Sequence, residues 1–113
     1  MVQKKNRIRY LQSFYDEAEE ITFYIRNVLC NREAADRFVT NVETAIVECS
    51  YNPEIYAVYA RSSKNGLPYY RIIVGNFIIL YVVLAENGEK VMEVRHVLYG
   101  RRNISLLILD GNV

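Results

Sequence analysis

The eight residues Phe77-Ile78-Ile79-Leu80-Tyr81-Val82-Val83-Leu84 constrain the fold more than any other stretch of this chain. They are apolar at consecutive positions, so a strand built from them has no polar face to offer water. Such a strand belongs in the middle of a sheet that is covered on both sides. Gly75-Asn76 precedes the run and Asn87-Gly88 lies just beyond it, and both pairs favour the tight turns of β-hairpins. Strands are therefore expected over 69–74, 77–84 and 91–98, joined as an antiparallel meander. In the last of these, Met92, Val94, His96 and Leu98 alternate with Val91, Glu93, Arg95 and Val97, which puts the first four on one face.

Upstream the apolar period changes from two to 3.6. Residues 8–11 read as a short opening strand. Ser13 stands three residues before Asp16, a start like a capping box. Phe14, Ala18, Ile21, Ile25, Val28 and Leu29 then share one helical face, predicting a helix over 14–29. Asn31 is the expected cap of a second helix, with Glu33 well placed against the helix dipole. Along that helix Ala35, Phe38, Val42, Ala45, Ile46 and Cys49 repeat the period until Asn52-Pro53 stops it. The short turn between the two makes an antiparallel helix hairpin. An opening strand, a helix hairpin and a meander form an α+β fold, and residues 1–113 are expected to be a single domain. Two helices shield only one face of a sheet. The other face of 77–84 needs a second cover, either the apolar tail Ile104-Ser105-Leu106-Leu107-Ile108-Leu109 or a partner.

A hydrophobic fraction of 51% with 24% charged residues fits a globular protein. No stretch approaches the ~18 apolar residues of a membrane span, and the charged start leads into no apolar signal segment. A cytoplasmic protein with no membrane partner is the expectation. Cys30 and Cys49 lack any metal or redox spacing, so neither a metal nor another cofactor is expected. In the helix hairpin they would stand roughly 25 Å apart at ~1.5 Å per residue, far beyond the reach of a disulfide. The net charge of +1 hides an asymmetry: residues 1–60 carry 7 Lys/Arg against 9 Asp/Glu, residues 61–102 carry 7 against 3. The basic second half fits either a phosphate-facing patch or solvated strand ends.

The segment Tyr70-Arg71-Ile72-Ile73-Val74-Gly75-Asn76-Phe77-Ile78-Ile79-Leu80-Tyr81, followed by Val94-Arg95-His96-Val97-Leu98-Tyr99-Gly100-Arg101-Arg102-Asn103, resembles the RelE/ParE superfamily of toxins from type II toxin–antitoxin systems. It is similar to their basic strand, their aromatic-led central strand and their Gly-Arg-Arg ending, and the resemblance runs over roughly residues 7–107. It implies a bacterial growth inhibitor whose partner is a cognate antitoxin. RelE-like members cleave messenger RNA on the ribosome, activating a ribose 2′-OH and stabilising the phosphorane with basic side chains. ParE-like members inhibit DNA gyrase by protein contact. Arg71, Arg101 and Arg102 match basic positions of the mRNA-cleaving toxins. Ile73 and Ile78, however, stand where further basic residues usually do, and the downstream tyrosine position falls in Leu106-Leu107. Those departures tilt the expectation toward gyrase inhibition, with mRNA cleavage as the alternative. A third reading is an inactive toxin-like subunit that only binds antitoxin.

The candidate catalytic residues are thus Arg71, His96, Arg101 and Arg102. Arg71 is charged within an apolar strand and either meets an anion or points to solvent. Paired arginines after a strand suit bidentate phosphate contact as well as a plain surface turn. His96, the single histidine, is a general-base candidate or a hydrogen-bonded residue at the core margin. Tyr51, Tyr56, Tyr59, Tyr69 and Tyr70 could stack on bases or pack at sheet ends. Residues 61–68 read as a flexible loop able to reach a target.

Overall fold

Both turn signals fold as expected, and they fix the register of everything around them. Gly75 takes φ +57° while Asn76 does not enter positive φ, the II′ pattern; Asn87 at +52° and Gly88 at +78° form the I′ pattern. The computed structural model describes residues 4–100. In chain order these form β1 (Arg7–Tyr10), α1 (Gln12–Phe23), a π-helical turn (Tyr24–Val28), α2 (Arg32–Cys49), β2 (Ala60–Arg61), β3 (Pro68–Val74), β4 (Phe77–Glu86) and β5 (Glu89–Tyr99). The sheet order is β1-β5-β4-β3-β2. β1 runs parallel to β5 and every other pairing is antiparallel. The expected α+β architecture is present, with a two-residue edge strand, β2, that the sequence did not announce.

α2 follows its pattern closely. The Asn31 side chain accepts a 3.0 Å bond from the Ala34 N–H, and Ala35, Phe38, Val42, Ile46 and Cys49 are buried. α1 departs from expectation at both ends. Leu11, not Ser13, holds the cap position and supplies no side-chain bond. The Ser13 hydroxyl instead donates to the Arg95 carbonyl at 2.6 Å. At the other end the helix loosens into the π turn, where Leu29 N–H bonds to the carbonyl of Tyr24, five residues back. The wider turn rotates the following residues off the stripe. Val28 and Leu29, predicted on the buried face, are 59% and 56% exposed.

One core lies between the helices and the sheet. Phe14, Phe38, Val42, Ile46 and Cys49 meet Tyr70, Ile79, Tyr81, Met92, Val94 and Val97. Tyr81, fully buried, donates its hydroxyl to the Pro53 carbonyl at 2.6 Å and accepts from the Cys49 thiol at 3.2 Å. Burial raises both the Cys49 thiol and the Tyr81 hydroxyl above their ordinary ranges. Both cysteines are free, Cys30 exposed and Cys49 buried. A second cluster, Tyr69, Leu80, Val82 and Leu98, occupies the opposite face of the sheet. Tyr59, Ala60 and Leu67 pack against it, so the segment around β2 supplies cover that the sequence reading sought in the tail or a partner. Residues 61–68, read as a flexible loop, are folded back: Ser62 is buried, and its N–H donates to Leu67 O at 2.9 Å. Leu67 gives that loop an apolar anchor. The tail at 104–109 lies outside the described residues. Among the described residues no helix is long and apolar enough to cross a membrane.

Candidate functional site

A bulge in β5 decides which side chains the outer face of the sheet carries. Leu80 pairs with His96 and Tyr81 with Val94, so Arg95 is the extra residue. Strict alternation would keep Met92, Val94, His96 and Leu98 together, as the sequence suggested. The bulge reverses the phase instead. Met92, Val94 and Val97 face the helices, while Leu98 joins Leu80 on the outer face, along with His96, the register partner of Leu80.

The bulged Arg95 completes a chain of charges across that face. Glu93, only 5% exposed, accepts from Arg9 Nε and Nη2 at 2.8 and 2.6 Å and from Arg95 Nε at 2.8 Å. Arg9 also grips both oxygens of Glu86 at 2.9 and 2.7 Å, which holds the Glu86 carboxyl below its ordinary range. Arg95 Nη1 donates to the Tyr69 hydroxyl at 2.8 Å. Burial raises the Tyr69 hydroxyl, and the neighbouring arginine partly offsets the shift. Each buried charge thus has an opposite partner, as a low-dielectric position demands.

His96 belongs to a different contact. Where β1 ends, the start of α1 takes over the edge of β5: Leu11 N–H bonds to Val94 O at 3.0 Å, Ser13 to Arg95 O, and the Glu17 carboxylate accepts Val97 N–H at 3.2 Å. The same carboxylate lies 3.0 Å from His96 Nδ1 through each oxygen. A carboxylate can only accept, so Nδ1 carries a proton. Nε2 is buried and has no hydrogen-bond partner among the described residues. The ring is 5% exposed.

Arg71 shares this face and this row. It pairs with Leu80, which pairs with His96, so Arg71 and His96 stand two strands apart, roughly 10 Å at ~4.8 Å per strand. The exposed Arg71 guanidinium sits 4.5 Å over the Tyr59 ring. Arg101 and Arg102 lie outside the described residues. The chain reaches them through Gly100, whose N–H donates to Asn76 O at 2.7 Å. A Cβ there would meet that same oxygen at 3.0 Å, which is why a glycine leads into the basic pair.

Of the candidate residues, then, Arg71 and His96 are on one face but not in contact. Sequence reasoning passed over Arg9, Glu17, Glu93 and Arg95, and weighed Tyr69 only for stacking or sheet-end packing, not as the partner of Arg95. Glu93 and Arg95 carried a signal, being charges inside an apolar strand; Glu17 carried none, as one of several carboxylates in α1. Comparison with family models matches residues 8–104 to the ParE toxin of type II toxin–antitoxin system, parDE. No curated protein matches the chain.

Proposed function

The chain belongs to the ParE toxin family and is the toxin of a type II toxin–antitoxin pair, and from that premise we propose that it arrests bacterial growth by protein contact with DNA gyrase. The whole chain, 1–113, acts in this reading as one cytoplasmic toxin domain, held in check by its cognate antitoxin. The observation that carries it is the separation of Arg71 from His96. Arg71 is spent on Tyr59, His96 is held by Glu17 with its ring almost closed to solvent, and Leu80 lies between them. With Arg71 over Tyr59 and the His96 ring nearly closed to solvent, this arrangement presents no RNA phosphate to both side chains at once. Inhibition through a protein surface needs no such convergence.

Purified chain is expected to inhibit supercoiling by purified gyrase while cell-free translation continues. In cells, DNA synthesis should stop before protein synthesis after induction, and Arg71→Ala should leave growth arrest intact. Early loss of translation, with new mRNA ends at ribosomes, would reverse the assignment. A growth rate unchanged by induction would favour the inactive antitoxin-binding subunit. One observation supports messenger RNA cleavage as the second reading: a carboxylate fixes His96 Nδ1 and leaves Nε2, the atom a general base would use, without a partner among the described residues. It requires the cover over that ring to open, and Arg71→Ala and His96→Ala would then both abolish arrest.

A further inference from the structure

Large apolar side chains crowd the closed end of the helix hairpin, where α1 passes into the π turn. Phe23 and Tyr24 are 63% and 52% exposed, and Val28 and Leu29 are 59% and 56% exposed. The five-residue spacing of the π turn brings Phe23 beside Val28 and Tyr24 beside Leu29. Ile25 packs against the core, which fixes its neighbours outward. Cys30, just past the turn, sits at φ +52°, a left-handed conformation that strains a residue with a Cβ. Strain of that kind concentrates where a segment is shaped for a contact.

The size of the patch bears on what covers it. An aromatic side chain carries ~150–250 Å² of surface, so the four residues together leave roughly 400 Å² open. Two copies meeting tip to tip would bury roughly 800 Å², short of the ~1,200 Å² of a specific interface. The same patch suits the apolar centre of a larger contact with a different protein. Its charges are of one sign: residues 21–32 contain Arg26 and Arg32 and no Asp or Glu, and both arginines are exposed. From Phe23 a groove of about 420 Å³ runs back along α1, walled by Tyr15, Phe23 and Arg26. A partner thus meets a projection to receive and a recess to enter.

We infer that this tip is the surface with which the chain grips gyrase, seated in an apolar recess bordered by carboxylates. The inference rests on the gyrase reading and adds the contact to it. Phe23, Tyr24, Val28 and Leu29 select an apolar recess, and Arg26 and Arg32 select its acidic border. An anionic lipid surface would answer the tip and the arginines but leave the groove along α1 unfilled.

The test uses the full chain and purified gyrase. Phe23→Gln/Leu29→Gln should raise the concentration needed for half-inhibition of supercoiling about tenfold or more, and Arg32→Glu should raise it less, by about threefold at low salt. Phe23 and Leu29 belong to neither core, glutamine suits a helix, and an unchanged melting temperature checks that the variant is folded. Ile55→Ser, which removes an equally exposed apolar residue elsewhere, should inhibit as the unmodified chain does. Cys30 is exposed and Cys49 buried, so a polarity-sensitive maleimide dye marks the tip alone, and its emission should shift to the blue when gyrase is added. The inference is overturned if Phe23→Gln/Leu29→Gln inhibits gyrase as well as the unmodified chain does. It is overturned equally if the dye responds to phosphatidylglycerol vesicles, or to a higher concentration of the chain itself, and not to gyrase. An unmodified chain that leaves supercoiling untouched sinks the gyrase reading and this contact with it, a result distinct from inhibition that survives the changes at the tip.

Discussion

The two faces of the sheet solve the same problem, covering β4, by different means. On the helix side Ile79 and Tyr81 are buried by Phe38, Val42, Ile46 and Cys49, side chains with almost nothing to satisfy but area. On the outer side Leu80 and Val82 share their surface with Glu93, Arg95 and His96, and each of those needs a partner in place before burial is tolerable. The first face gains stability from apolar contact at about 25 cal/mol per Å². The second spends much of its Coulomb gain on desolvation, so its ion pairs contribute position more than net stability. A bulge at Arg95 is what lets both faces coexist on one strand, because it returns Val97 to the helix side and Leu98 to the outer one.

If that contrast is sound, truncation on the helix side should be the most damaging. Ile46 is fully buried in α2, and Ile46→Ala should cost about 2–5 kcal/mol in urea unfolding. Glu93→Ala should cost less, about 1–3 kcal/mol. It leaves Arg95 with one neutral partner, Tyr69, but Arg9 keeps Glu86 and reaches water. Adding Arg95→Met to Glu93→Ala should recover part of the loss, since the stranded charge is then gone. An equal cost for Ile46→Ala and Glu93→Ala, with no recovery in the double variant, means the outer face is held by its charges and the comparison breaks.

The same division separates what was readable in the sequence from what was not. Period 3.6 gave α2 and its cap, and the Gly75-Asn76 and Asn87-Gly88 turns gave the meander, because each signal is local. The bulge is not local: it comes from where β4 places Leu80 and Tyr81 against β5, and a strict alternation of two could only misplace His96. Ser13 failed for a related reason. Its hydroxyl had a choice between capping its own helix and closing the edge of β5, and only the packed chain shows that the second wins. The π turn likewise turned Val28 and Leu29 outward without any glycine or proline to mark it. At the candidate site, Arg71 and His96 could be picked by residue type, but Glu17, which decides what His96 can do, lies 79 residues away in an ordinary acidic stretch of α1.

The smallest effect is expected where the outer network meets solvent. Glu86 accepts two bonds from Arg9, which holds its folded-state carboxyl below the ordinary value of 4.5. The folded chain therefore binds fewer protons at this site than the unfolded chain does. The contribution is complete above the unfolded value and is lost as the pH falls through the lower, folded one. Both side chains are about a third exposed, at 35% and 36%, so solvent screening keeps the contribution small. Melting temperature measured from pH 7 down to about 3 should fall less steeply for Glu86→Gln than for the unmodified chain. Salt should narrow the gap between them. A steeper acid fall in Glu86→Gln would mean that Arg9 is held by Glu93 alone and that Glu86 merely follows it. The network would then begin at the buried carboxylate rather than at the rim.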